Sequence, residues 1–188
     1  MTLPQRKLHV GVTLHVRDGN QSVWENGIFQ NCAFLVDLLK RCPTVADAVL
    51  VLNTAEPASL PPTMLMDSQH LRAVNLEEAF QTLDVVIEMS AQLPDDWVPR
   101  FRAKGGRYIW MRVGNDYVID IERAMHALPH AGLASTKQYD AVWTIPEYER
   151  SCSDYFSIAA RAPVRILPHL WSPEFFERGI LTLPAGVL

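Results

Sequence analysis

The chain is poor in the features that announce common chemistries. It has 9 glycines in 188 residues, and nowhere do they form G-x-G-x-x-G or G-x-x-x-x-G-K-[ST]. Neither a dinucleotide nor a P-loop phosphate cradle therefore has a motif. A G-x-S-x-G nucleophile elbow is also missing. The 3 cysteines, Cys32, Cys42 and Cys152, are far apart and make no C-x-x-C pair, which removes zinc ribbons and thioredoxin-like redox chemistry. Cys32 lies among apolar helical positions and reads as a small buried hydrophobe. No run approaches the roughly 20 apolar residues of a membrane-spanning helix. The net charge of −4 lacks the clustered Lys and Arg of a nucleic-acid binder. Met1–Lys7 runs into a strand without an apolar signal core, so the expected compartment is the cytoplasm.

What is present is alternation. Apolar strand-like runs at Leu8–Leu14, Ala48–Asn53, Asp84–Met89, Tyr108–Val113, Ala141–Ile145 and Val164–Leu167 take turns with helical patterns. The helices fall at Asn26–Arg41, Leu76–Leu83, Asp95–Lys104, Asp116–Leu128 and Glu147–Arg161. Ile28, Cys32, Leu35 and Leu39 give the first helix its apolar stripe. Asn75 reads as the cap of the second, with Glu77 and Glu78 in its first turn. The Gly105-Gly106 pair ends the third. Val49-Leu-Val-Leu52 is apolar on both faces, as a central strand covered by helices requires. The pattern predicts an α/β fold: a Rossmann-like, doubly wound, mainly parallel sheet with helices on both faces. Between Thr54 and His70 the alternation fails, and the segment reads as a surface excursion.

Right-handed crossovers place all strand carboxyl ends on one edge, where such folds bind ligands. The residues just after the strands are therefore the candidates. They are His15, Arg17, Asp18 and the Trp24–Asn31 turn, Asn53 and Glu56, Glu88 and Ser90, Arg112 and Asn115, Thr144, Pro146 and Glu147, and then His169, Trp171 and Ser172. Amides fork across hydroxyls and aromatic faces stack on C–H surfaces, so this set suits a sugar-like ligand better than a phosphate.

Glu25, Glu88 and His15 are the candidate catalytic bases. Glu88 ends an apolar strand, which marks it as a buried carboxylate whose pKa burial would raise. The candidate substrate-binding residues are Trp24, Asn26, Gly27, Gln30, Asn31, Arg112, Asn115, Glu147, His169 and Trp171. Several have a plainer reading: Asn26 as a helix cap, Glu25 as a solvated loop carboxylate, and Trp24 as a staple on the core. His126 and His130 have metal-like spacing, but Pro129 breaks the helix that would align them, so no metal site is expected. His9, inside the first strand, reads as a satisfied histidine rather than a ligand.

Gln21-Ser-Val-Trp-Glu-Asn-Gly-Ile-Phe-Gln-Asn-Cys32, together with Val164-Arg-Ile-Leu-Pro-His-Leu-Trp-Ser-Pro173, resembles the bacterial family DUF2827. That family looks like glycosyltransferases of the GT-B architecture, in which two Rossmann-like domains face each other across a cleft. The resemblance covers nearly all of this chain as the amino-terminal half of the family's length. It implies an acceptor-side domain at 1–178 and the start of a linker at 179–188. A carboxyl-terminal domain would then bind the nucleotide-sugar donor, and this domain would carry no cofactor of its own. The implied partners are a sugar or glycoconjugate acceptor and that second domain, with transfer performed by the whole protein and not by this part alone. A non-catalytic Rossmann-like module binding a small ligand or a protein is the alternative. A nucleotide-dependent oxidoreductase is disfavoured by the glycine-poor first turn.

Overall fold

The computed structural model describes residues 6–54, 56, 58–64, 71–113 and 137–170. Among them, β1 (Leu8–Leu14) pairs in parallel with β2 (Val45–Leu52) on one side and with β4 (Val85–Glu88) on the other. Beyond β2 lies β3 (Ala73–Val74), and beyond β4 lie β5 (Arg107–Arg112), β6 (Ala141–Thr144) and β7 (Val164–Ile166). Every pairing is parallel, and the order is β3-β2-β1-β4-β5-β6-β7. The chain first winds outward from β1 to β3, then crosses back and winds the other way from β4. The order therefore reverses between β1 and β4, which opens a crevice at their carboxyl ends.

The two-residue alternation of strands sorts the core into two layers. Val10, Val12, Leu14, Leu50, Leu52, Ile87, Ile109 and Met111 face one side. There they meet Cys32, Leu35 and Val36 of α1 (Gly27–Lys40). Val49, Val51, Val86, Tyr108, Trp110 and Val142 face the other. That layer is covered by α2 (Leu76–Thr82), α3 (Trp97–Ala103) and α5 (Ser153–Ala160). Gly11 of β1 sits where a Cβ would come within 2.5 Å of Leu83 and Val51 side-chain atoms. A side chain there would have to displace these two buried methyl groups.

Local signals account for the helix ends. Asn26 caps α1, its side chain accepting from Ile28 N at 3.0 Å, and Asn75 caps α2 by accepting from Glu78 N at 2.9 Å. Gly105, with φ of +97°, turns the chain out of α3 while Gly106 N donates to Phe101 O at 3.1 Å.

Three readings need correction. The helix expected over Glu147–Arg161 is two: α4 (Glu147–Ser151) and α5, broken at Cys152 with φ of −134°. No proline or glycine lies there to signal the break. Strand β3 was not foreseen, because two residues on a sheet edge leave no periodicity to detect. The Thr54–His70 excursion is not wholly superficial either. A short 3-10 turn at Pro62–Met64 carries Met64 into the core at 2% exposure. The helix expected at Asp116–Leu128, with His126 and His130, lies outside the described residues, as does 171–188. None of the described helices is long and apolar enough to cross a membrane.

Candidate functional site

The ends of β1, β2 and β4 enclose a cleft of about 540 Å³ at the crevice where the strand order reverses. His15 and Val16 follow β1, Asn53 and Thr54 follow β2, and Ser90 and Gln92 follow β4. Glu56 and Ser59 close one wall from the loop after β2. Among the described residues lining it, none is Lys or Arg. The polar groups are imidazole, carboxylate, amide and hydroxyl.

Buried polar side chains hold this rim in shape. Thr13 is fully buried, and its hydroxyl accepts from Met89 N at 2.9 Å and Ala91 N at 3.3 Å. Ser90 N donates to Thr13 O at 3.3 Å, and Cys32 Sγ donates to the same carbonyl at 3.4 Å. Burial pushes the Cys32 thiol up, so it stays protonated and inert, as its place in the apolar stripe suggested. His15 N donates to Ser90 Oγ at 3.2 Å, tying the β1 exit to the β4 exit. On its far side His15 is held by Gln21, whose amide donates to His15 O and accepts from Arg17 N, both at 2.7 Å. Sequence reasoning placed Gln21 in the first turn without giving it a role.

Of the proposed bases, His15 alone lines the cleft. Glu25 is exposed, pairs with Arg17 at 3.3 Å and accepts from Ser22 N at 3.1 Å, so it braces its own turn. Trp24 stands 57% exposed. Asn26 spends its side-chain oxygen on the helix cap. Gly27 has open space where a Cβ would be, so nothing there requires close approach of the backbone. Gln30 and Asn31 are half-buried on the first turns of α1. These turn residues do not line the cleft.

Glu88 is buried as expected, but strand alternation turns it away from the α1 side, onto the layer beneath α3 and α5. Tyr108 and Tyr139 donate their hydroxyls to its two carboxylate oxygens, Tyr139 at 3.0 Å, and Lys137 Nζ lies 3.3 Å away. The Glu88 and Lys137 side chains are 3% and 5% exposed. Tyr108 and Tyr139 stack at 5.3 Å, and Trp110 also stacks on Tyr139 at 5.2 Å. Burial, reinforced by Glu88, pushes the Tyr108 hydroxyl up and keeps its proton in place. This is a buried polar cage that organises the core. Arg112 turns to the same layer, its guanidinium 4.6 Å over Trp110.

Farther along the carboxyl edge, His169 Nε2 and Glu147 Oε1 meet at 2.8 Å across the exits of β7 and β6. The hydrogen bond from His169 holds the Glu147 carboxyl below the usual carboxylate range. Both side chains are exposed. Asn115 and Trp171 lie outside the described residues. No three His, Cys, Asp or Glu side chains among the described residues gather into a metal-binding group.

Residues 10–188 match a protein family described as "Protein of unknown function (DUF2827)". The chain belongs to the DUF2827 family. No curated protein matches it. Among solved structures, this DUF2827 chain is similar to the crystal structure of the TT0316 protein from Thermus thermophilus. The identity is 15%, the TM-score 0.30, and the match covers 95% of this chain. The chain spans about half, 47%, of the length of that structure.

Proposed function

We propose that this DUF2827 domain is the acceptor-side domain of a GT-B-like glycosyltransferase. The full protein would transfer a sugar from a nucleotide-sugar donor to a glycan or glycoconjugate acceptor, with the donor held by a carboxyl-terminal domain. The observation that carries this reading is the cleft at the β1–β4 crevice. Its lining of imidazole, carboxylate, amide and hydroxyl groups, without a cation among the described residues, suits a hydroxylated acceptor.

His15 is the proposed general base. As the acceptor oxygen bonds to the anomeric carbon, the bond from that carbon to the donor phosphate breaks, and the imidazole takes the acceptor's proton. Rigid backbone ties on both flanks of His15 support this role, since a base acts only from within hydrogen-bond reach. Trp24, Gln30, Asn31, Glu147 and His169 are proposed contacts for the more distant parts of the acceptor or for the facing domain.

The test is turnover of the full-length protein with a panel of nucleotide sugars. His15→Gln should lower turnover by about 100-fold or more while donor binding stays unchanged. Wild-type turnover in that variant would remove His15 as the base. Failure of the full-length protein to bind any nucleotide sugar would overturn the transferase reading.

A further inference from the structure

The hydrogen-bonding state of the cleft's polar atoms selects the chemistry of what enters it. Ser90 Oγ already accepts the His15 N–H at 3.2 Å, and among the described residues no acceptor takes its hydroxyl hydrogen. That hydrogen is available for an acceptor atom in the cleft. Asn53 adds an acceptor. One Nδ2 hydrogen donates to Gln92 O at 2.8 Å, which fixes the amide plane and leaves the second hydrogen beside an Oδ1 that accepts from none of the described residues. One wall thus presents a donor, tied to the β1 exit through His15, and another an acceptor, tied to the β4 exit loop through Gln92.

A carboxylate or an ionised phosphate brings negative charge and chiefly acceptors, so it would meet Ser90 favourably but be repelled by the Asn53 oxygen and the Glu56 carboxylate. A hydroxyl both donates and accepts. From this pattern we infer that Ser90 and Asn53 form a hydroxyl-reading pair, which makes the cleft a subsite for a neutral sugar or polyol and not for an anion. Thr13 is the positioning residue of the pair. Its buried hydroxyl and carbonyl hold Met89, Ser90 and Ala91 in the conformation that aims Ser90 at the cleft. The inference rests on the acceptor-side reading above and specifies its ligand class and two of its specificity residues.

The experiment is an amide-shift titration of the full chain by nuclear magnetic resonance. The probes are the methyl glycosides of glucose, galactose and mannose, with inorganic phosphate as the anionic probe. At least one glycoside should shift the Asn53, Ser90 and Ala91 amides, and phosphate should not. Ser90→Ala and Asn53→Ala should each weaken that glycoside about 5- to 10-fold, the effect of losing one hydrogen bond between neutral groups. Replacing the contacted hydroxyl by fluorine should weaken binding to the wild-type chain by a similar factor. This ligand-side change decides the matter even where a variant misfolds. Phosphate shifting these amides in place of the sugars, no sugar binding at all, or unchanged affinity in both variants and with the fluorinated sugar would each overturn the pair. Sugar binding here without transfer by the full-length protein would keep the pair and remove the transferase. Transfer with unchanged affinity in both variants would do the reverse.

Discussion

Gln21 and His15 are joined by a 2.7 Å hydrogen bond from a side-chain amide that is 1% exposed to a backbone carbonyl at the mouth of the cleft. The same amide accepts from Arg17 N. One side chain therefore satisfies two backbone groups of the segment that carries His15.

Gln21→Ala should accordingly destabilise the domain by about 1–3 kcal/mol, because two part-buried hydrogen bonds to the backbone are lost together. Denaturant unfolding should show a lower midpoint with an unchanged slope. A change under about 0.5 kcal/mol, the size expected for ordinary surface substitutions, would mean that the loop is held by other contacts.

The Glu88 cage should respond asymmetrically. Glu88→Leu deprives Lys137 and two tyrosine hydroxyls of their acceptor in the interior and should cost about 3–5 kcal/mol. Removing both charges in Glu88→Leu/Lys137→Met should recover much of that loss, since an apolar pair avoids the desolvation of two ions. A double-mutant cycle measures the coupling, and additive effects would show that the two charges act independently.

Asp140 supplies an acid-sensitive term. Burial pushes its carboxyl up, but hydrogen bonds from Arg102, Tyr108 N and Arg107 outweigh this and hold it below the ordinary range. Its contribution is complete above the unfolded carboxylate value of about 4, and is lost as pH falls through the lower folded value. Asp140→Asn should therefore be less stable than wild type at pH 7, with the gap narrowing below about pH 4. Urea melts at several pH values check this; a constant gap would contradict it.

The glycines should divide by what surrounds them. Gly11→Ala and Gly106→Ala should each cost about 1–3 kcal/mol. Their Cβ atoms would lie 2.5 Å from Leu83 and Val51, and from the buried Phe101 ring. Gly27→Ala, in open space inside α1, should stabilise by about 0.4–1 kcal/mol. Thermal unfolding orders the three variants. Loss of stability in Gly27→Ala would reveal a constraint on the first turn.

Much of the fold was legible because its causes are local. Strand β1 falls on the run Leu8–Leu14, and both asparagine caps sit where read, because a cap bonds to amides two or three residues away. The break at Cys152 and the edge strand β3 escaped, since neither carries a local sequence mark. The candidate site was legible only as a pool of residues following strands. Strand order drew His15, Asn53, Glu56 and Ser90 from that pool into one cleft by setting β4 beside β1. The pleat sent Glu88 to the opposite layer, although it directly precedes Met89 and Ser90 in the chain.

By itself the sequence determined the α/β alternation, the caps, the two-sided strands and the absence of a glycine-rich phosphate turn. All of these depend on residue type and short-range spacing. Only the tertiary structure decided which polar groups meet. Parallel pairing between strands more than seventy residues apart, as in β1 and β4, depends on how whole layers bury their surfaces, and no local pattern encodes it.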